Sequence, residues 1–231
     1  MQQWQKRLQK LTAWWETPVG ETLLQLEKRF LNTYLQVLFG YQMVLLADEA
    51  FADLTFSSRL QNSIRLDPFL TSARQLPKNT DVIIVPHALA YMVEAEAWLR
   101  AFWETLEANG KLILTGFNFV SCLGLQRLLA RRVVRDLPMA INSQRRLQMS
   151  LFAADFTLAK HYKFAAHCIT TKTDASLLGV KPSYFGLFYC LVASKQLVTV
   201  KNFQTEWKSS PKVARQSLVN PYTIDKRRHE N

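Results

Sequence analysis

The sequence predicts an α/β domain with a mainly parallel sheet, helices on both faces and an antiparallel pair of strands at the C-terminal edge. Apolar runs typical of strands alternate with helical patterns up to about residue 153, which favours parallel strands joined by helices. The clearest strand, residues 81–86 (DVIIVP), contains the β-branched run typical of strands covered on both faces. After residue 153 two strand patterns follow each other without a helix, which indicates an antiparallel edge pair.

The N-terminal segment, residues 1–40, predicts two helices. The first spans residues 2–16, and its apolar face carries Trp4, Leu8, Leu11 and Trp15. Thr17 followed by Pro18 indicates the start of the second, because threonine caps helices and proline suits the first helical position. Apolar residues then recur at helical spacing up to Gly40, where we expect this helix to end.

Residues 41–203 form the predicted α/β domain. We expect its strands at 41–47, 63–66, 81–86, 111–116, 157–169 and 185–192, with a further short strand at 197–202. We expect helices at 94–107, 121–135 and 145–153, and a helix or irregular turn at 50–57. Asn109-Gly110 is a helix-stop signal. The remaining residues, 204–231, predict a basic, loosely ordered tail.

The chain of 231 residues is basic, with 29 Lys and Arg against 18 Asp and Glu, a net charge of +11. This excess favours acidic partners such as nucleic acid, or it is a solvated basic surface, since no basic block is long enough for a dedicated arm. The three cysteines form no CxxC motif, which fits a reducing compartment. With no signal peptide and no run of 18 apolar residues, we expect a cytoplasmic protein without a membrane span.

Residues 81–121 carry a family resemblance. Asp81 opens a strand, Leu99-Arg100 lies in the helix that follows, and Asn109-Gly110 turns the chain into a second strand. This order of motifs resembles the type 11 group of the S-adenosylmethionine-dependent methyltransferases. The resemblance implies a Rossmann-like methyltransferase fold that uses S-adenosylmethionine as its cofactor.

A narrower group of bacterial methyltransferase-like proteins is still more similar. Its Trp-x-x-Pro-x-Gly opening is matched by Trp15, Pro18 and Gly20, and its Gly-Phe-Asn after a strand is matched by residues 116–118. The resemblance covers about residues 14–195. It implies that the N-terminal helical segment lies over the cofactor site as a lid, and it leaves the methyl acceptor unknown.

The loop after the first strand departs from the family pattern. Members usually carry Gly-x-Gly there, because glycine lets the backbone approach the cofactor closely. Here the loop reads Ala47-Asp48-Glu49-Ala50, and no two of the seven glycines are separated by a single residue. This degenerate motif leaves an alternative open: a cofactor-less pseudo-methyltransferase that binds a protein or nucleic-acid partner.

The resemblance places the cofactor against residues that follow the strands: Ala47, Asp48, Asp67, His87, Ala88 and Tyr91. Either Asp48 or Asp67 could accept hydrogen bonds from the ribose hydroxyls, and Asp67 before Pro68 could instead cap a turn. His87 is the candidate general base, or it could cap the strand or the following helix.

Three aromatic or amide side chains complete the candidates. Tyr91 could stack on the adenine or belong to the core. Asn118, at the end of a strand, could contact substrate or cofactor, or satisfy its own backbone. We assign Trp15 and Asn118 to the part of the site that contacts the substrate or the lid. His161 and His167 have no carboxylate or cysteine at ligand spacing, so no metal site is predicted.

Overall fold

A computed structural model describes residues 3–55, 59–92, 94–118, 144–164 and 186–195 of the chain. Several predictions fall outside these residues: the helix at 121–135, the strand at 197–202, the basic tail at 204–231 and His167. The basic tail, which contributes to the positive charge that favours a nucleic-acid partner, is among them.

Six strands form one sheet. They are β1 (Gln42–Leu46), β2 (Asn62–Leu66), β3 (Thr80–Pro86), β4 (Leu106–Phe117), β5 (Thr157–Phe164) and β6 (Phe188–Ser194). Their order across the sheet is β2-β1-β3-β4-β6-β5. The first four are parallel to one another, and β6 is antiparallel to both β4 and β5. This confirms the mainly parallel sheet with an antiparallel C-terminal edge pair.

Five α-helices and two short 3-10 helices connect the described strands. The α-helices are α1 (Gln3–Trp15), α2 (Pro18–Leu35), α3 (Ala88–Tyr91), α4 (Ala95–Thr105) and α5 (Gln144–Ala153), and the 3-10 helices are Glu49–Thr55 and Ala73–Gln75. The central strands β1, β3 and β6 are almost entirely buried, as expected for strands inside a sheet. Within the described part of the chain, no helix is long and apolar enough to cross a membrane.

The corner between α1 and α2 is tightly built. The Thr17 hydroxyl accepts a hydrogen bond from the Gly20 backbone N–H at 3.1 Å and donates to the Trp14 carbonyl at 2.7 Å, which confirms the predicted helix start. A Cβ on Gly20 would meet the Trp14 carbonyl oxygen and lie 2.9 Å from the Cα of Trp15. The corner therefore holds the two tryptophans in place at the end of α1.

Two predicted helix ends are wrong. Helix α2 ends at Leu35, before Gly40. The prediction extended too far because Leu38, which follows the helix, is also buried and so continues the apolar pattern. Helix α4 ends at Thr105, and Asn109-Gly110 lies within β4 instead of ending the helix. Asparagine tolerates the positive φ of 66° that Asn109 adopts, and such a residue suits a strand irregularity as well as a helix end.

Candidate functional site

Four of the residues singled out from the sequence lie along one edge of the sheet. Asp67, Asp48, His87 and Asn118 each follow the last residues of β2, β1, β3 and β4, which are parallel neighbours in that order. The carboxyl ends of parallel strands meet at the same edge, and this is where ligands of open α/β sheets bind. The fold therefore gathers these side chains at the edge that the sequence predicted for the site.

His87 is paired with a buried carboxylate from α2. Its Nε2 lies 2.8 Å from Oε2 of Glu27, and the exposed fraction of the two residues is 1% and 0%. The other carboxylate oxygen of Glu27, Oε1, accepts a hydrogen bond from the Thr115 hydroxyl of β4. Both oxygens of Glu27 are thus engaged, as burial of a carboxylate requires.

Glu27 was not among the residues predicted from the sequence, although α2 contains a signal for it. The residue lies four positions after Leu23 and three before Phe30, both buried, and so falls on the apolar face of the helix. A carboxylate at such a position needs a buried partner. Which residue is the partner depends on how α2 packs on the sheet, and spacing along the chain does not give that.

The His87 ring lies among aromatic rings from four parts of the chain. Its centroid is 4.5 Å from that of Phe117, 5.4 Å from Trp15, 6.0 Å from Phe188 and 6.3 Å from Phe51. Trp15 also stacks on Phe117 at 5.7 Å. These rings exclude water from the Glu27–His87 pair, and the α1 helix contributes Trp15 to the enclosure.

The backbone at His87 is in an uncommon conformation. Its φ is 55°, in the left-handed region, while its N–H donates to the Thr115 carbonyl at 3.0 Å. His87 immediately precedes α3, but its side chain makes no capping hydrogen bond there and turns to Glu27 instead. His87 is therefore the N-cap residue of α3 through its backbone, and its side chain takes no part in capping. Residues held in such conformations concentrate at functional sites.

Three buried polar atoms near the pair have no hydrogen-bond partner within the described structure. They are Nδ1 of His87, Nε1 of Trp15 and the Tyr189 hydroxyl. Burial and the neighbouring charge of Glu27 raise the pKa of Tyr189, and a Cβ on Gly116 would meet its hydroxyl. Unpartnered buried polar atoms are few in native proteins, so three around one hydrogen-bonded pair call for an explanation.

Asp48 connects the first loop to α1. Its Oδ2 accepts a hydrogen bond from the Thr12 hydroxyl at 2.8 Å. Burial raises the pKa of the Asp48 carboxyl, an effect that the Thr12 hydrogen bond and the nearby His87 only partly offset. Ionisation of the Asp48 carboxyl is therefore less favourable in the folded protein than in the unfolded chain.

Replacing Asp48 with asparagine is expected to stabilise the fold at pH 7, because the amide keeps the Thr12 hydrogen bond and removes the buried charge. The folded-state pKa of Asp48 lies above its unfolded value of 3.8, so its ionisation costs stability at a pH above the folded pKa. The advantage of Asp48→Asn should shrink as the pH falls through the folded pKa. Urea unfolding at neutral and acidic pH measures this, and a less stable variant at pH 7 would contradict it.

Asp67 and Asn118 make local hydrogen bonds. Oδ1 of Asp67 accepts a hydrogen bond from the Phe69 N–H at 2.7 Å. Asp67 therefore caps a turn, which is one of the two roles predicted for it. The Asn118 side-chain amide donates to the Gly186 carbonyl at 2.9 Å, and its backbone N–H donates to the Leu187 carbonyl at 2.7 Å. Asn118 thus ties the end of β4 to the residues that lead into β6.

The other predicted cofactor contacts, Ala47, Ala88 and Tyr91, are buried in the hydrophobic core. Ala47 begins the loop after β1, and the other two form the ends of α3. Over the described residues, no group of three or more His, Cys, Asp or Glu side chains could hold a metal ion.

Neither a family model nor a curated protein matches the chain. Solved structures do. A SAM-dependent methyltransferase from Thermotoga maritima is 17% identical, with a TM-score of 0.53 over 80% of this chain and 100% of that one. A SAM-dependent methyltransferase from Archaeoglobus fulgidus is 14% identical, with a TM-score of 0.50 over 74% of this chain and 94% of that one. At these identities the likeness shows the fold alone: the chain has the fold of these solved methyltransferase structures.

Proposed function

We propose that the protein is an S-adenosylmethionine-dependent methyltransferase whose cofactor binds at the carboxyl edge of β1 and β3. The observation that carries the proposal is the buried Glu27–His87 pair, which stands at this edge in a methyltransferase-type fold. A buried carboxylate hydrogen-bonded to a histidine is the arrangement that prepares an imidazole to accept a proton. The acceptor is unidentified.

The side chains at this edge fit the cofactor chemically. Asp48 offers a carboxylate to the ribose hydroxyls from a partly buried position, where a hydrogen bond to a charge is strong. Trp15 is buried at this edge, and its ring face would attract a cation such as a sulfonium once α1 had moved aside. The Thr12 hydroxyl of α1 donates a hydrogen bond to Asp48, so a ribose would reach this carboxylate only after α1 had moved aside. This assigns α1 the part of a lid.

When bound, S-adenosylmethionine supplies a methyl group carried on a positively charged sulfur. The protein's own residues then have three tasks. Asp48 orients the ribose, His87 accepts the proton of the acceptor, and α1 with Trp15 keeps water away. Methyl transfer depends mainly on the positioning of the two reactants and on removal of a proton from the acceptor.

Calorimetric titration with S-adenosylhomocysteine tests the cofactor site. We expect wild-type protein to bind it with micromolar affinity and Asp48→Asn to bind about tenfold or more weakly, the usual worth of a hydrogen bond to a charged group. Asp67→Asn is the matched control. It is the same substitution at the same edge, on a carboxylate already engaged by the Phe69 N–H, and should change affinity by less than about threefold.

The absence of binding by wild-type protein at millimolar ligand would contradict the proposal and favour the cofactor-less alternative. Binding that Asp67→Asn weakens and Asp48→Asn does not would move the ribose contact to the end of β2. We also propose that the protein belongs to the type 11 group, that it is bacterial and cytoplasmic, and that residues 1–40 form the lid.

A further inference from the structure

We infer that Glu27 is a positioning residue that holds His87 as the tautomer whose Nδ1 is free to accept a proton from the methyl acceptor. The inference rests on the proposed function and adds a residue that the sequence did not reveal. Glu27 itself lies behind the histidine and reaches the reacting atoms only through it.

The tautomer follows from what Glu27 can do. A carboxylate oxygen accepts hydrogen bonds and does not donate them, so the 2.8 Å contact between Oε2 and Nε2 requires a hydrogen on Nε2. In a neutral imidazole the other nitrogen, Nδ1, then carries the lone pair. The pairing therefore assigns Nδ1 as the basic atom.

Thr115 fixes the orientation of the carboxylate. Its hydroxyl donates to Oε1 of Glu27, which leaves Oε2 to face His87. Its carbonyl accepts the backbone N–H of His87 at 3.0 Å. Thr115 thus contacts both members of the pair, and His87 is held at its backbone N–H and at the Nε2 atom of its ring.

The free Nδ1 is what separates this role from a purely structural ion pair. Buried side-chain nitrogens with only a structural role are as a rule hydrogen-bonded, and here Nδ1 is buried with no partner among the residues that the structure describes. An orphaned acceptor is also tolerated better than an orphaned N–H, which favours the bare nitrogen over a doubly protonated ring. Nδ1 is therefore available to a ligand that brings a donor.

The proton balance is simple. The acceptor's O–H or N–H bond breaks, its electron pair stays on the acceptor atom, and the Nδ1 lone pair forms the new N–H bond. Within the described part of the chain, the ionisable groups near the resulting imidazolium are Glu27, which is hydrogen-bonded to it, and Asp48, while Tyr189 and Cys190 lie beside Glu27. The two carboxylates stabilise the imidazolium. The acceptor class this implies carries an exchangeable proton on its nucleophilic atom.

Nuclear magnetic resonance of the imidazole nitrogens tests the inference without cofactor or activity. The chain has four histidines, so His161→Gln, His167→Gln and His229→Gln together leave His87 as the one observed ring. We expect the Nε2-protonated form to exceed the Nδ1-protonated form by about tenfold or more at neutral pH, as a charged hydrogen bond predicts. A dominant Nδ1-protonated form, or a ring still doubly protonated at pH 8, would overturn the inference.

Two variants in the same background separate positioning from packing. In Glu27→Gln the amide can donate to Nε2 as well as accept from it, so the two tautomers should approach equal populations. Thr115→Val keeps the carboxylate but no longer orients it, so the Nε2-protonated form should stay in excess by a smaller ratio. This variant stands in if Glu27→Gln does not fold, and an excess of the Nδ1-protonated form in it would overturn the inference. Unchanged populations in Glu27→Gln would overturn the inference. Titration with S-adenosylhomocysteine judges the proposed function separately, since the tautomer is read in cofactor-free protein.

Discussion

Replacing Glu27 with alanine is expected to lower the free energy of unfolding by roughly 2–6 kcal/mol, since two buried donors each lose their acceptor at a cost of about 1–3 kcal/mol. The substitution leaves Nε2 of His87 and the Thr115 hydroxyl buried without their partner, and the loss of one member of a buried pair costs more than the pair contributes. For a chain of this size the melting temperature should fall by roughly 10 °C. Urea unfolding and thermal denaturation measure the two quantities.

Glu21→Ala is the matched control for this prediction. Glu21 lies on the same helix but is exposed, so its loss should cost less than about 1 kcal/mol, the worth of a charge in the first helical turn. The double variant Glu27→Ala/His87→Ala should lose less than the sum of the two single variants, because the pair acts as a unit. Additive losses, or similar losses for Glu21→Ala and Glu27→Ala, would contradict the account.

Replacing Trp15 with alanine is expected to lower the free energy of unfolding by about 3–5 kcal/mol, as is usual for a buried tryptophan. Its ring is 3% exposed and packs against Phe51, His87 and Phe117. Its removal leaves a cavity between α1 and the sheet edge and lets water reach the Glu27–His87 pair. Urea unfolding at neutral pH measures the loss.

Trp15→Phe is the control that keeps a ring and removes the indole nitrogen. Nε1 of Trp15 is buried without a partner in the described structure, so the loss of contact area is offset by the removal of an unsatisfied donor. We expect this variant to lose less than half of what Trp15→Ala loses. Equal losses would show that the indole nitrogen, and not the packing of the ring, carries the stability.

Most of the sheet could be predicted because its strands carry strong local signals. The β-branched run of residues 81–86 became β3, and the apolar run at 41–47 became β1. Helix α2 begins where Thr17-Pro18 predicted, since both signals act within one turn. The end of α4 could not be predicted, because Asn109 lies at an irregularity of β4 where its N–H donates to the carbonyl of Lys195, a residue distant in sequence.

From the sequence, only those residues of the candidate site that follow a predicted strand could be identified. Asp48 and His87 follow predicted strands, and parallel strands bring such residues to one edge. Glu27 and Thr115 escaped prediction because neither is at a strand end. Glu27 lies on a helix face and Thr115 inside β4, and their meeting depends on how α2 packs against the sheet. A charged residue on an apolar helix face was the one available signal.

Amide hydrogen exchange with and without saturating S-adenosylhomocysteine tests the central claim most directly, because it locates a ligand on the sheet as well as detecting it. The account predicts slower exchange in the loop after β1, residues 47–50, and at 87–91 after β3, with altered exchange in α1 as Thr12 releases Asp48. Unchanged exchange at these segments, whether because nothing binds or because protection appears elsewhere, would contradict a cofactor site at this edge.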